Sequence, residues 1–288
     1  MLTDAHCHPY DLVKVFPGME EERRRLGVLC AASSSSREEF EYAEIFSRTA
    51  QAECAAGIFP CFAIHPQLPA YINSQQEHSH QIGENPLESN IAAGLALLEE
   101  LAGQGRLAAV GETGFDLFNA QFRETEAVQE KIFAFHVELA LHFDLPLVLH
   151  VRRALHKIFA FSEKLKKCRA VVFHSWPGTP DEAQALLSRG INAFFSFGTP
   201  IVLNHHRAMN SCAVLPADRL LIETDAPYQP LRDPARRYSS WEDLPAILNA
   251  AAALRRQAGS PAADDAELEK IIETNFRSVY SVPRLTTE

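Results

Sequence analysis

Histidines and carboxylates recur in this sequence at one kind of place, directly after short apolar runs. Asp4-Ala5-His6-Cys7-His8, Ala63-Ile64-His65-Pro66, Val110-Gly111-Glu112, Leu149-His150-Val151-Arg152, Phe173-His174 and Ile222-Glu223-Thr224-Asp225 are the clusters concerned. His6 and His8 are two residues apart, so on a strand both point to one face and can bind one cation through imidazole nitrogen. His150 and His174 each end a strongly hydrophobic run and would supply nitrogen ligands to a second cation. Glu112 is the natural shared ligand, because a carboxylate can bridge two cations and a neutral imidazole cannot. Asp225 can both bind a metal and accept the proton of the water that the metal acidifies, which makes it the general-base candidate. Glu223 and Asp4 are expected behind the ligand histidines as their hydrogen-bond partners. His65 and Arg152 are read as substrate groups, since arginine forms bidentate contacts with phosphate and does not ligate cations. Two divalent metal ions are thus expected. Four histidines favour Zn²⁺, while Mg²⁺ and Mn²⁺ accept carboxylate-rich sites that keep waters.

Such clusters meet only if something aligns the ends of the runs. The strand candidates are Leu2–His6, Val28–Ala32, Ile58–Ile64, Leu107–Gly111, Leu145–His150, Ala170–Phe173, Asn192–Phe195 and Leu220–Glu223. They are continuous rather than alternating, as parallel strands covered on both sides are. Amphipathic segments fall between and after them: Arg37–Ala56, Glu88–Ala102, Gln121–Phe143, Arg153–Lys167, Asp181–Arg189, Ser240–Arg256 and Asp264–Thr274. The stretch Tyr71–Asn90, rich in Gln, Ser, His and Asn, reads as a long loop. The alternation also suits a doubly wound sheet. The length and the eight units point to an α/β fold, a single (β/α)₈ TIM barrel spanning residues 1–288. In that fold the strand C-termini share one rim, where catalytic side chains gather.

Composition narrows the function. The chain has 288 residues, 47% hydrophobic and 22% charged, which excludes bulk disorder. Its 27 Lys and Arg against 37 Asp and Glu give a net charge of −10. That sign disfavours wrapping a long stretch of nucleic-acid backbone, though not a local site that meets a few phosphates. Six cysteines lie scattered without CxxC pairs, as expected for reduced core thiols in a cytoplasmic protein. No secretory signal or membrane span is read from the sequence, and nothing in it calls for an obligate protein partner. Nucleotide-binding loops and the serine-hydrolase elbow are absent. Ser33–Ser36 reads as a loop and helix cap, His205-His206 as a solvated pair, and Arg236-Arg237-Tyr238 as a basic surface turn.

DAHCH at Asp4–His8, AIHP at Ala63–Pro66, GETGFD at Gly111–Asp116, HVR at His150–Arg152, FHSWPG at Phe173–Gly178 and IETDAPY at Ile222–Tyr228 together resemble the TatD family of metal-dependent hydrolases, in the amidohydrolase superfamily of (β/α)₈ barrels. The likeness runs from Leu2 to about Tyr280, where Asn275-Phe276 resembles the family's Asn-containing C-terminal segment. It implies a two-metal site and deoxyribonuclease activity with 3′ to 5′ exonuclease character on single-stranded DNA or DNA ends. Carried over by position, it implies one metal on His6, His8, Glu112 and Asp225, and a second on Glu112, His150 and His174. It also implies phosphate contacts from His65 and Arg152. The chain departs from the family pattern at Val151-Arg152-Arg153, where Ser or Thr, Arg and an acid are usual. It departs again at Ser175-Trp176-Pro177-Gly178, where Cys-Phe-Ser-Gly is usual.

The residues themselves leave two other functions open. The same ions polarise a carbonyl as readily as a phosphoryl group, so an amidase, lactonase or aminoacyl-ester hydrolase remains an alternative. A barrel kept as a binding scaffold is the more remote one, because no ligand position is lost.

Overall fold

The apolar runs do form parallel strands. In the computed structural model, which describes residues 1–53, 56–76, 86–232 and 236–281, they are β1 (Thr3–Cys7), β2 (Leu29–Ser34), β3 (Ile58–Phe62), β4 (Ala109–Asp116), β5 (Leu147–Arg152), β6 (Val171–Phe173), β7 (Ala193–Phe197) and β8 (Leu220–Ile222). Every neighbouring pair from β1 to β8 is parallel and in sequence order. That order belongs to a (β/α)₈ barrel, since a doubly wound sheet reverses direction part-way across.

The seam between β8 and β1 closes beyond the end of β8. Asp225 N donates to His6 O at 3.0 Å and His8 N to Ala226 O at 2.7 Å. Below them Thr224 gives its backbone amide and its hydroxyl to the Asp4 carboxylate at 3.0 and 2.6 Å. The segments that close the barrel are therefore the ones that carry His6, His8 and Asp225.

Burial falls into two layers. Val148 and Val172 stand two residues before His150 and His174 and so share their inward face. They form an interior cluster with Leu29, Ala31, Phe59, Cys61, Phe194 and Leu221, joined by Phe276 and Val279 of the last helix, Asp265–Val279, and by Tyr280 just past its end. A larger cluster between sheet and helices holds Phe40, Phe62, Phe115, Phe133, Phe173, Trp176 and Trp241. Asn275 serves this packing: its amide donates to Ala217 O and Leu220 O at 2.9 and 2.8 Å, pinning the last helix beneath β8. Asn275→Ala is expected to cost about 2 kcal/mol by orphaning two carbonyls. A thermal melt checks this, and an unchanged midpoint would remove Asn275 from the packing account.

Several expectations need correction. Tyr71–Asn90 is not one long loop. The helix Leu68–Gln76 enters it, the helix Pro86–Gly103 leaves it, and 77–85, with His78 and His80, lie outside the described residues. The second of these helices is the expected helix Glu88–Ala102, begun two residues earlier, and its Leu97, Leu98 and Leu101 join the core. β4 runs five residues past Gly111, taking in GETGFD. Gly114 permits that extension: it has φ +128°, and a Cβ there would stand 2.3 Å from His150 O. Ser33 and Ser34 belong to β2, while Ser36 caps the helix Arg37–Ala52. The segment 153–167 forms two short helices, Leu155–Ala160 and Ser162–Leu165. Arg236 is not a free basic turn residue, since it pairs with Asp243 and Ser240. No helix among the described residues is long and apolar enough to cross a membrane. Cys7, Cys30, Cys61, Cys168 and Cys212 are free and buried, and Cys54 lies outside the described residues.

Candidate metal centre

At the C-terminal rim the strand ends surround a cleft of about 1050 Å³, lined among others by His8, His65, Glu112, His150, His174 and Asp225. Glu112, with the backbone on either side of it buried, projects both carboxylate oxygens into the middle. Oε2 faces His6 Nε2 at 3.3 Å and His8 Nε2 at 3.7 Å. The same two nitrogens lie 3.6 and 3.5 Å from Asp225 Oδ1 and 3.1 Å from each other. Four ligands at about 2.0–2.1 Å around a tetrahedral ion stand about 3.3 Å apart, so these separations are close to the edges of such a polyhedron.

Oε1 of Glu112 faces a second set. His150 Nδ1 is 2.7 Å away, His174 Nε2 2.8 Å and His65 Nε2 3.4 Å. His150 Nδ1 and His174 Nε2 approach to 3.3 Å.

His150 Nε2 lies 3.1 Å from Asp116 Oδ2, so a neutral ring that donates there turns the Nδ1 lone pair toward Glu112. His174 Nδ1 lies 3.6 Å from Glu223 Oε1, beyond hydrogen-bond distance, while its Nε2 faces Glu112 Oε1 at 2.8 Å. Two ring nitrogens and a carboxylate oxygen converge there, an arrangement that suits a cation. His65 differs. Gln67 N donates to its Nδ1 at 3.2 Å, so the neutral ring keeps its proton on Nε2 and faces the cleft as a donor.

Without a metal, protons take up the same charge. Burial lowers the basicity of His174, but Glu112 and Glu223 outweigh it and hold the ring well above the usual histidine range. Burial would raise Glu112, yet His174, His65 and His6 hold it well below the usual carboxylate range. Asp225 is depressed in the same way: the cost of burial is exceeded by a hydrogen bond from His8 and the charges of His174 and His6. His6 and His65 are lowered, chiefly by burial. His136, buried and apart from any carboxylate, is pushed down to about 3 by burial.

Each residue singled out in the sequence can now be placed. His6, His8, Glu112, His150, His174, Asp225 and His65 all reach the centre. Arg152 stands exposed in the cleft wall at the end of β5, its guanidinium 3.8 Å from the centre of the Phe118 ring. Glu223 Oε1 also accepts from Ser175 N at 2.6 Å, while its buried Oε2 has no hydrogen-bond partner among the described residues. Asp4 is a correction. It does not stand behind a histidine ring but accepts from Thr224 and from the His6 backbone amide at 3.2 Å, and burial raises it to about 7. The bulge between Asp4 and Cys7 turns the carboxylate to the barrel seam. His6 Nδ1 instead meets Ser33 Oγ at 3.2 Å.

Other supporting residues went unassigned. Asp116 also accepts from Gln67 Nε2 at 2.7 Å and Phe118 N at 2.9 Å. Gln229 Nε2 anchors Asp225 Oδ2 at 2.6 Å. His136 accepts from Ile64 N at 3.5 Å and meets the Thr113 hydroxyl, which steadies the residue before His65. Asp116 had a legible signal, since Glu112, Gly114 and Asp116 alternate on one strand face. Gln67, Gln229 and His136 had none. Asp116→Ala is expected to weaken metal binding 10–100-fold by freeing the His150 ring, as measured by metal titration of the chelator-stripped protein. Unchanged affinity would deny Asp116 that role.

Comparison with known proteins agrees with the geometry. A sequence model of the family described as TatD related DNase matches residues 3–281. The chain is 37% identical over 193 residues to the 3′-5′ ssDNA/RNA exonuclease TatD of Cronobacter sakazakii, covering 64% of this chain and 69% of that one. It is 30% identical over 176 residues to the uncharacterized metal-dependent hydrolase YcfH of Escherichia coli, covering 58% and 65%. Among solved structures, the TatD homologue YjjV of Escherichia coli superposes with a TM-score of 0.76 at 23% identity, over 98% of both chains.

Proposed function

This chain belongs to the TatD-related DNase family, and from that premise we propose that it is a divalent-metal-dependent hydrolase that cleaves phosphodiester bonds at the ends of single-stranded DNA. The observation that carries this reading is Glu112, whose two oxygens face two separate sets of ring nitrogens. Family relatives named as single-strand exonucleases support the substrate class. The first ion would rest on His6, His8, Glu112 and Asp225, the second on Glu112, His150 and His174.

When bound, two divalent cations there supply Lewis-acid polarisation of the phosphodiester and a water acidified enough to react near neutral pH. The chain's own groups do the rest. Asp225 accepts the water's proton at Oδ1 while Gln229 holds Oδ2, and its φ of +55° fixes the carboxylate in a conformation few non-glycine residues adopt. His65 donates its Nε2 hydrogen to a non-bridging phosphate oxygen. Arg152 pairs with the phosphate from the cleft wall. A cleft of about 1050 Å³ is of the size that holds one drug-sized ligand, so it takes terminal nucleotides and not a length of duplex. The cytoplasm is the proposed compartment, in keeping with free, buried cysteines.

The test is a single-stranded oligonucleotide incubated with the protein, with and without chelator and with Zn²⁺, Mg²⁺ or Mn²⁺ restored, beside a panel of lactones and aminoacyl esters. Stepwise shortening that the chelator abolishes is expected. Chelator-resistant cleavage would sink the mechanism, and turnover of the esters with DNA left intact would sink the substrate class.

A further inference from the structure

We propose that Arg123, Arg152 and Arg153, gathered around Phe118, form a rim subsite for the second phosphate of a single-stranded nucleic acid whose end lies in the cleft. The inference rests on the phosphodiesterase reading above and names where the rest of the strand goes.

Phe118 is a large apolar side chain left 39% exposed just past the end of β4. Two guanidinium groups lie over its ring, Arg152 at 3.8 Å and Arg153 at 4.5 Å from the centroid. Consecutive residues leaving a strand ordinarily point to opposite faces. Arg153 has φ +56°, which breaks that alternation and brings both arginines to one ring. Its Nη1 also donates to Phe118 O at 3.4 Å, and Arg123 Nη1 reaches Leu117 O and Phe118 O at 3.3 and 3.4 Å. All three arginines are exposed. Among the described residues no carboxylate pairs with any of them, in contrast to Arg106, Arg236 and Arg256.

Three like charges with no counter-ion repel each other, and in a chain of net charge −10 acidic partners are plentiful. A concentration of positive charge in that setting suits an anionic ligand. Stacking on Phe118 leaves guanidinium N–H donors outward and fixes the planes beforehand, so less rotamer freedom is lost when phosphate binds. The rim is continuous with the cleft. Arg152 belongs to both, two residues past His150 and on the order of 7 Å further along β5, the reach of about one nucleotide. Asp116 links them, since it accepts from His150 at one oxygen and from Phe118 N at the other.

The experiment compares the metal-loaded wild type with an Arg123→Gln/Arg153→Gln double variant. Fluorescence anisotropy follows a labelled single-stranded phosphorothioate oligonucleotide across a salt series. Hydrolysis of an ordinary oligonucleotide and of a one-phosphate chromogenic diester is measured in parallel. The variant is expected to bind the strand at least about tenfold more weakly. The slope of log affinity against log salt should flatten by about 1.4, or 0.7 for each arginine neutralised. The ratio of kcat/KM on the oligonucleotide to that on the diester should fall at least tenfold, through KM. Unchanged binding and slope would overturn the rim, as would equal losses on both substrates. Displacement of the strand by polyglutamate as readily as by unlabelled DNA would assign the patch to acidic peptides instead. A wild type that binds the strand with the expected slope yet hydrolyses neither substrate would refute the reaction and leave the rim standing.

Discussion

Glu112→Gln is expected to lower turnover of a single-stranded oligonucleotide at least about 10³-fold, because it removes from both donor sets the one residue they share. Glutamine keeps the shape and replaces one charged oxygen with an amide that offers hydrogen where a lone pair is needed. With Oε1 and Oε2 equivalent in the carboxylate, whichever position the amide takes, one set faces a donor: His6 and His8 at 3.3 and 3.7 Å, or His150 and His174 at 2.7 and 2.8 Å. Metal content should fall together with turnover, as measured by elemental analysis of the purified variant. Full metal occupancy with full turnover would mean that Glu112 bridges nothing. A fold intact by circular dichroism separates this from simple unfolding.

Asp225→Asn should show a different pattern. Its Oδ1 reaches only the set built on His6 and His8, at 3.6 and 3.5 Å, so the His150–His174 set stays whole. Loss of a positioned general base costs roughly 10²–10⁴-fold, and the loss should fall on kcat with KM little changed. The variant should also lose at most one of two metals. An equal loss in Glu112→Gln and Asp225→Asn of both metals would show that the two sets do not bind independently. Retention of kcat with one metal lost would move the base elsewhere.

The site was legible where it obeys local rules. His6 and His8 share a face because a strand alternates, and Glu112, His150, His174 and Asp225 stood out because each interrupts or ends an apolar run. Asp116 obeys the same alternation, but the apolar run that marks β4 ends at Gly111, before the bulge between Gly111 and Thr113, so apolar pattern alone does not reach it. Asp4 was misplaced for the opposite reason. Its neighbours suggested a partner for a nearby ring, whereas its oxygens meet Thr224, 220 residues away. Gln67 and His136 act through hydrogen bonds to residues distant in the chain, and Gln229 through one to Asp225 four residues earlier, and none of these leaves a periodic trace in sequence.

The amino-acid sequence by itself determined the strands, their parallel burial and the residue types available at their ends. Periodicity and burial preference act over a few neighbouring residues, so they can be read along the chain. Its net charge of −10 did not foretell where three unpaired arginines would gather, because a sum carries no positions. Barrel against open sheet was decided only by the tertiary structure, at the seam where Asp225 meets His6 and His8 meets Ala226. The same closure decided which nitrogen of His150 faces Glu112. A neutral ring's tautomer follows the hydrogen bond on its far side, and the partner of His150, Asp116, arrives only once the strands are aligned, whereas His65 meets Gln67 N two residues along the chain.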